Sequence, residues 1–402
     1  MTNNPHQPRE DDAVLGGQTP PPLGAVVLGG IEGVKKRLLS GAVEQRLAAL
    51  KEALKYGQPG LDLVIPSLQD SSDQIQKAAY RLLRERTEEP RVKQALSEYN
   101  PYRFFECLQT LSGHPGSAVS SICLSADGQT LVSGGAYHDR TIKIWNLQTG
   151  QEICTLGAHS GSVDSLVLSL DGQTLVSGSS EDTTVKVWNL RTKRKIRTLN
   201  IGSGVGAIAV GRDWQTLING CYDCTVKIWN LQTGEAIRTL QGHSGSVNSI
   251  ALSPDGQIFA SSGGDCTVKV WNLKTLQEIC TLRGHSNAVT PVGITSNGQT
   301  VFSGSNGTIK VWDVQSRQEV FSLKEHSDFV LSRVFSPDGH ILFSGGNSDY
   351  KAIKIWKWET RQALRTLEGH AGVVRCLCVS ADGLTLVSSS GNEIKVWGIR
   401  SG

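Results

Sequence analysis

The hydrophobic period of the chain changes once. From about residue 105 onward, apolar and polar positions alternate with period two in runs such as TLVSG at 174–178, TVKVW at 184–188 and EICTL at 278–282. These runs are short, rich in β-branched residues and separated by Gly- and Asp-containing turns, so they predict β-strands. Between residues 25 and 103 the apolar spacing is helical instead. Ile31 to Leu39, Val43 to Tyr56, Leu61 to Leu68, Asp73 to Arg86 and Arg91 to Tyr99 read as amphipathic helices, broken at Ser40-Gly41, Gln58-Pro59-Gly60, Ser71-Ser72 and Glu89-Pro90. Residues 1–24 are polar, carry Pro20-Pro21-Pro22 and keep no period, which predicts a disordered tail. The expected organisation is therefore a tail (1–24), a helical segment (25–103) and a β domain (104–402).

The β region repeats. Seven of the nine tryptophans, Trp145, Trp188, Trp229, Trp271, Trp312, Trp356 and Trp397, end one recurring phrase at intervals of 41 to 44 residues. His114, His159, His243, His285, His326 and His370 each precede one of them by 27 to 31 residues, and turns such as SADG, SLDG and SPDG lie between. Asp and Gly supply the left-handed conformations such hairpins need. About 42 residues with four short strands is the size of one propeller blade.

A histidine, an SPDG-type turn, a Ser, an Asp and a closing Trp-Asn or Trp-Asp in this order resemble the WD40 repeat. Seven copies over 106–402 imply a mainly β protein, a seven-bladed WD40-type propeller with a small helical N-terminal region. The last copy ends at Trp397-Gly398-Ile399-Arg400 with no sequence left for an outer strand. Glu106 to His114 matches Gln151 to His159, so the segment before the first copy is expected to complete the last blade. In the helical segment, Leu38, Ala48, Ala49 and Leu50 are answered thirty residues later by Leu68, Ala78, Ala79 and Tyr80, which resembles a HEAT-type hairpin.

The repeated polar residues could be taken for hydrolase triads. Ser133 with His114 and Asp139, Ser177 with His159 and Asp182, and Ser261 with His243 and Asp265 recur blade after blade, whereas an enzyme needs one nucleophile and one oxyanion hole. The resemblance implies that these residues, with Trp145, Trp188 and Trp271, form structural tetrads. Several copies depart from the pattern: Asn200-Ile201-Gly202 and Asn219 in the third, Asn306 in the fifth, an extended 347–352 loop in the sixth and Gly391 in the seventh. Blades three, five, six and seven are expected to be looser than the others.

Composition narrows the function. Forty Lys and Arg against thirty-seven Asp and Glu give a net charge of +3, too little excess to imply nucleic acid, and a short basic run, Lys193-Arg194-Lys195 with Arg197, reads as a solvated strand edge. No apolar stretch reaches the length of a membrane span, and nine cysteines at irregular spacing suit reduced thiols in the cytoplasm. Gly202-Ser203-Gly204-Val205-Gly206-Ala207 fits a loose phosphate-loop pattern, but a strand follows it where a helix is needed. Cys221, Cys224 and Cys266 offer three thiols without a fourth zinc ligand. No catalytic residue, metal or cofactor is implied.

The family resemblance implies partner docking on one face, through residues flanking the first-strand valine and preceding the tetrad Asp. Here these include Asp164, Phe329, Leu331, Val373, Arg375, His138, Glu181 and Tyr222. Phe329, Leu331, Val373 and Arg375 have the composition of a binding hot spot, while the alternative is that Phe329 and Leu331 plug the channel. The expectation is a monomeric, non-catalytic scaffold for protein partners on the propeller face and the helical segment. The alternatives are an enzyme at the channel mouth and a nucleic-acid-binding propeller.

Overall fold

The computed structural model describes residues 30–290, 292–295, 298–324, 330–346 and 351–400. The tail expected over residues 1–24 lies outside them. The chain divides into two compact units, one ending at Arg103 and one running from Phe104 to Arg400.

In the first unit, α1 (Gly30–Leu38), α2 (Val43–Ala53), α3 (Gln58–Val64), α4 (Asp73–Arg84) and α5 (Pro90–Glu98) fall within a few residues of the helical periods. Pro59 and Pro90 sit in the first turns of α3 and α5, where a missing N–H costs nothing. Val34, Leu50, Val64, Ile75, Leu83 and Val92 are fully buried and form its core. The Arg46 guanidinium grips both oxygens of Asp70 at 2.9 and 2.8 Å. Buried Gln76 donates to the Asp70 carbonyl at 2.5 Å and accepts from the Tyr99 hydroxyl at 3.1 Å. Burial pushes the Tyr99 phenol up to about 12.

The second unit is seven antiparallel four-stranded sheets. Blade 1 has strands Val119–Leu124, Thr130–Gly135, Thr141–Asn146 and Gln151–Gly157. Blade 2 has Ser165–Leu168, Thr174–Gly178, Thr184–Asn189 and Arg194–Asn200. Blade 3 has Val205–Val210, Thr216–Cys221, Val226–Asn230 and Ala236–Leu240. Blade 4 has Val247–Leu252, Ile258–Gly263, Thr267–Asn272 and Glu278–Arg283. Blade 5 starts with Val292–Ile294 and ends with Gln318–Lys324, and blade 6 runs from Val330–Phe335 to Gln362–Leu367. Blade 7 takes Val374–Val379, Thr385–Ser390 and Glu393–Ile399 from the C-terminal end and its outer strand, Phe105–Ser112, from the start of the unit. This closes the ring: Phe105 pairs with Ile399 and Ser112 with Glu393, and Arg400 meets Glu106 at 2.8 Å.

One valine per blade, Val119, Val163, Val205, Val247, Val289, Val330 and Val374, is fully buried near the start of the inner strand. In four interfaces it rests on a glycine of the preceding blade. A Cβ on Gly134, Gly178, Gly220 or Gly345 would lie within 2.8 Å of Val163, Val205, Val247 or Val374 respectively. Such close approach explains glycine in the middle of a strand, where it is otherwise unfavourable.

Every outer strand carries a β-bulge at one place, and the extra residue is aliphatic: Leu108, Ile153, Ile196, Ile237, Ile279, Val320 and Leu364. Bulges twist an outer edge away from further pairing. They also explain why Ile153, Ile196, Ile237 and Val320 are about half exposed.

Candidate functional site

The recurring polar residues converge in the interior of blades 1, 2 and 4. In blade 2, Trp188 Nε1 donates to Ser177 Oγ at 2.9 Å, Ser177 Oγ lies 2.8 Å from His159 Nε2, and His159 Nδ1 lies 2.9 Å from Asp182 Oδ2. Blade 4 repeats this with Trp271, Ser261, His243 and Asp265 at 2.9, 2.8 and 2.9 Å. Blade 1 does so with Trp145, Ser133, His114 and Asp139 at 2.8, 2.8 and 3.1 Å. Because the indole can only donate to the serine, the serine hydroxyl is free to donate to a neutral imidazole, whose other N–H faces the aspartate. Each aspartate also ties the next strand down: Thr184 N and Thr267 N donate to Asp182 and Asp265 at 3.1 Å, and Thr141 N to Asp139 at 3.0 Å.

Electrostatics keep the imidazoles neutral. Burial lowers His114, His159 and His243 from their usual value, and the aspartate beside each opposes that shift. Asp182 is held down to about 2 because, against the cost of burial, it accepts from Thr184, His159 and Ser160. Blades 5 and 7 keep the Trp–Ser–His chain, with His285 and His370 at 2.7 and 2.6 Å from Ser303 and Ser388, but Asn306 and Gly391 supply no carboxylate. Burial, reinforced by Lys310 and Arg333 at His285 and by Lys395 at His370, lowers both to about 4. In blade 6 Ser344 and Trp356 lie on paired strands, and His326 is outside the described residues.

Blade 3 breaks the chain altogether. Ile201 takes the histidine's place and is buried, and Asn219 takes the serine's place. Asn219 Nδ2 turns to Cys221 Sγ at 2.9 Å, leaving Asn219 Oδ1 and Trp229 Nε1 buried with no partner. Lys227 donates to the Ile201 carbonyl and pairs with Asp223, both at 3.0 Å, as Lys186 does with the Ala158 carbonyl and Asp182 in blade 2.

The turns that carry these aspartates join the second and third strands of their blades, all at the same end of the sheets. Tyr222, half exposed, lies across the inner strand of its own blade. A Cβ on Gly204 would come within 2.8 Å of its ring, and one on Gly206 within 3.0 Å. The glycines of the loose phosphate-loop pattern therefore form a floor under a tyrosine. Near Tyr222, Ser180 donates to Asp164 through Oγ and N at 2.6 and 2.8 Å. Burial, then Asp164 and last Tyr137 push the Tyr222 phenol up. Tyr137, on the matching turn of blade 1 and 64% exposed, was not singled out in the sequence. Its only signal was a place beside His138, one residue further from the tetrad Asp than the family pattern inspects.

The remaining described candidates lie on blades 1, 2, 6 and 7. His138 and Glu181 are exposed, with Glu181 against Gly161. Leu331 and Val373 are half-buried and Arg375 is exposed, on neighbouring blades 6 and 7. Phe329 lies outside the described residues. Cys221 is buried and Cys224 and Cys266 are half-buried; no cluster of three or more metal-ligating side chains occurs among the described residues. Cys224 and Cys266 follow Asp223 and Asp265 with φ of 69° and 62°, as Arg140 and Thr183 follow their aspartates with φ of 56°. These thiols mark a turn position.

Seven four-stranded blades closed around an axis, with buried Trp–Ser–His–Asp relays, define a repeat propeller of the WD type. Six segments, 105–146, 150–189, 234–272, 276–313, 317–357 and 361–398, match the WD40 family, WD domain, G-beta repeat. They cover more than half of the sequence, and the chain belongs to that family. The unmatched stretch between 189 and 234 contains Ile201, Trp214 and Asn219, yet it folds into strands of blades 2 and 3 all the same. A 44-residue stretch is 54% identical to the vegetative incompatibility protein HET-E-1 of Podospora anserina, and covers 11% of this chain and 3% of that protein. No helix among the described residues is long and apolar enough to cross a membrane.

Proposed function

We propose that this protein is a non-catalytic platform that binds protein partners at the channel mouth, through Tyr137, Asp164, Glu181 and Tyr222 on one side and Leu331, Val373 and Arg375 on the other. The observation that carries the reading is that the histidines and serines resembling catalytic groups are buried and engaged with one another blade after blade, while the exposed aromatics Tyr137 and Tyr222 sit on the turns just before Asp139 and Asp223. A tyrosine held flat on a glycine floor offers a large contact area at little cost in side-chain entropy. The packing of α2 against α4 supports a HEAT-like second surface on the helical unit. Nine unpaired cysteines favour a reducing compartment such as the cytoplasm.

The test is affinity purification with quantitative mass spectrometry of the wild-type chain against Tyr137→Ala/Tyr222→Ala and Phe329→Ala/Arg375→Ala variants. Melting curves control for folding. Loss of a specific partner set at unchanged stability supports the platform. An identical partner set in all three proteins refutes it.

A further inference from the structure

Two departures from the internal repeat meet at one cleft outside the channel mouth. The first is a charge reversal. In blades 1, 4 and 5 the residue before the outer-strand bulge is Glu152, Glu278 or Glu319, which pairs with a lysine of the adjacent strand. Blade 2 has Lys195 there, and Arg191, Lys193 and Arg194 precede it, all exposed. Among the described residues none of these four has a carboxylate within ion-pair distance.

The second departure is backbone strain. Six turns between first and second strands place Gly128, Gly172, Gly256, Gly298, Gly339 and Gly383 in the left-handed region with φ of 67° to 78°. Blade 3 puts Trp214 at this position with φ of 54°, a costly conformation for a bulky residue. Its side chain packs beside Leu231.

These two features flank a cleft of about 590 Å³ lined by Leu170, Val187, Ile196, Trp214 and Leu231, with Asp171 on its rim. Leu170 and Ile196 are 78% and 57% exposed, so the cleft presents apolar surface to solvent. Arg197 closes one end by donating to the carbonyls of Thr233 and Gln232 at 2.7 and 2.6 Å. The cleft opens on the face opposite the His–Asp turns, because it lies where the turns 169–173 and 231–235 connect their strands.

We propose that this cleft and the basic strand beside it bind an extended acidic peptide segment. One large apolar side chain enters against Trp214, Leu231 and Ile196, and carboxylates on one flank lie over Arg191, Lys193, Arg194 and Lys195. Charge complementarity selects the partner, and the cleft selects its central residue. The bulge at Ile196 interrupts the strand edge, so side chains rather than continuous backbone pairing carry the contact. Asp171 on the rim fixes direction by repelling acid from that end.

The test uses the full chain and an array of fluorescein-labelled ten-residue peptides of Glu and Asp around a central Phe, Leu, Trp or Tyr, read by polarisation. Arg194→Glu/Lys195→Glu gives blade 2 the acidic residue of blades 1, 4 and 5, and Trp214→Gly gives blade 3 the glycine of its sister turns; melting curves of both variants exclude a loss of fold as the cause of any weakening. Each is expected to weaken the best peptide about tenfold, as is a central Phe→Ser change in the peptide. No binding by any peptide overturns the proposal. Binding indifferent to Trp214→Gly and to the central residue overturns it too, as does equal affinity for an oligothymidine with the same response to the variants.

Discussion

Ser177→Ala in blade 2 isolates what one relay contributes. The serine oxygen is fully buried, accepts from Trp188 Nε1 at 2.9 Å and lies 2.8 Å from His159 Nε2. Removing it leaves an indole donor and an imidazole nitrogen in a site that water does not reach. At about 1–3 kcal/mol for each of the two orphaned groups, the loss is about 2–6 kcal/mol. Blade 3 supplies the opposite perturbation. Asn219→Ser removes an unpaired buried carbonyl oxygen and gives Trp229 Nε1 an acceptor, so stability should rise by about 1 kcal/mol. Hydrogen exchange of peptides spanning 174–189 and 216–230, alongside urea unfolding, reads both effects. A loss below about 0.5 kcal/mol for Ser177→Ala, or a loss of any size for Asn219→Ser, refutes the account of the relays as stabilising chains.

Acid should unfold the ring through His285 and His370. Unfolded, both titrate near 6.5; folded, only near 4, so between these values the unfolded chain binds more protons and stability falls by about 1.4 kcal/mol per pH unit for each histidine. Above 6.5 both states are neutral and below 4 both are charged, so the slope vanishes at each end, and His370→Gln should flatten it by half of their joint contribution in urea titrations at stepped pH. Deleting 104–112 exposes the edge of Glu393–Ile399 and should produce aggregation in light scattering; an unchanged melting curve would reject the closure.

Much of this architecture is legible because each blade solves the same problem. The tryptophan spacing gave seven units, and the unused match at Glu106 to His114 gave the closing strand, since a missing edge must be paired somewhere. Helix limits in the first unit were readable from proline and glycine, although the turn at Leu54–Tyr56 tightens before Gly57. What stayed hidden depends on backbone conformation and on contacts between residues distant in the chain. Gly204 and Gly206 resemble a phosphate loop until Tyr222, sixteen residues further on, is seen lying over them. Trp214 stands where six sister turns carry glycine, and its left-handed backbone is visible only in the structure, because a positive φ leaves no mark in the sequence when the residue is not glycine. The cleft below it combines residues 169 to 232, which no local pattern joins.

The closing pair also sets how the ring answers mechanical load. Phe105, where the chain enters, sits opposite Ile399, where it leaves, so tension applied through both flanking segments concentrates on that first rung. The rungs then separate in succession, as in a zipper, instead of sharing the load as they would in shear. A tether pulled from both sides would open blade 7 first and leave the other six sheets intact behind it.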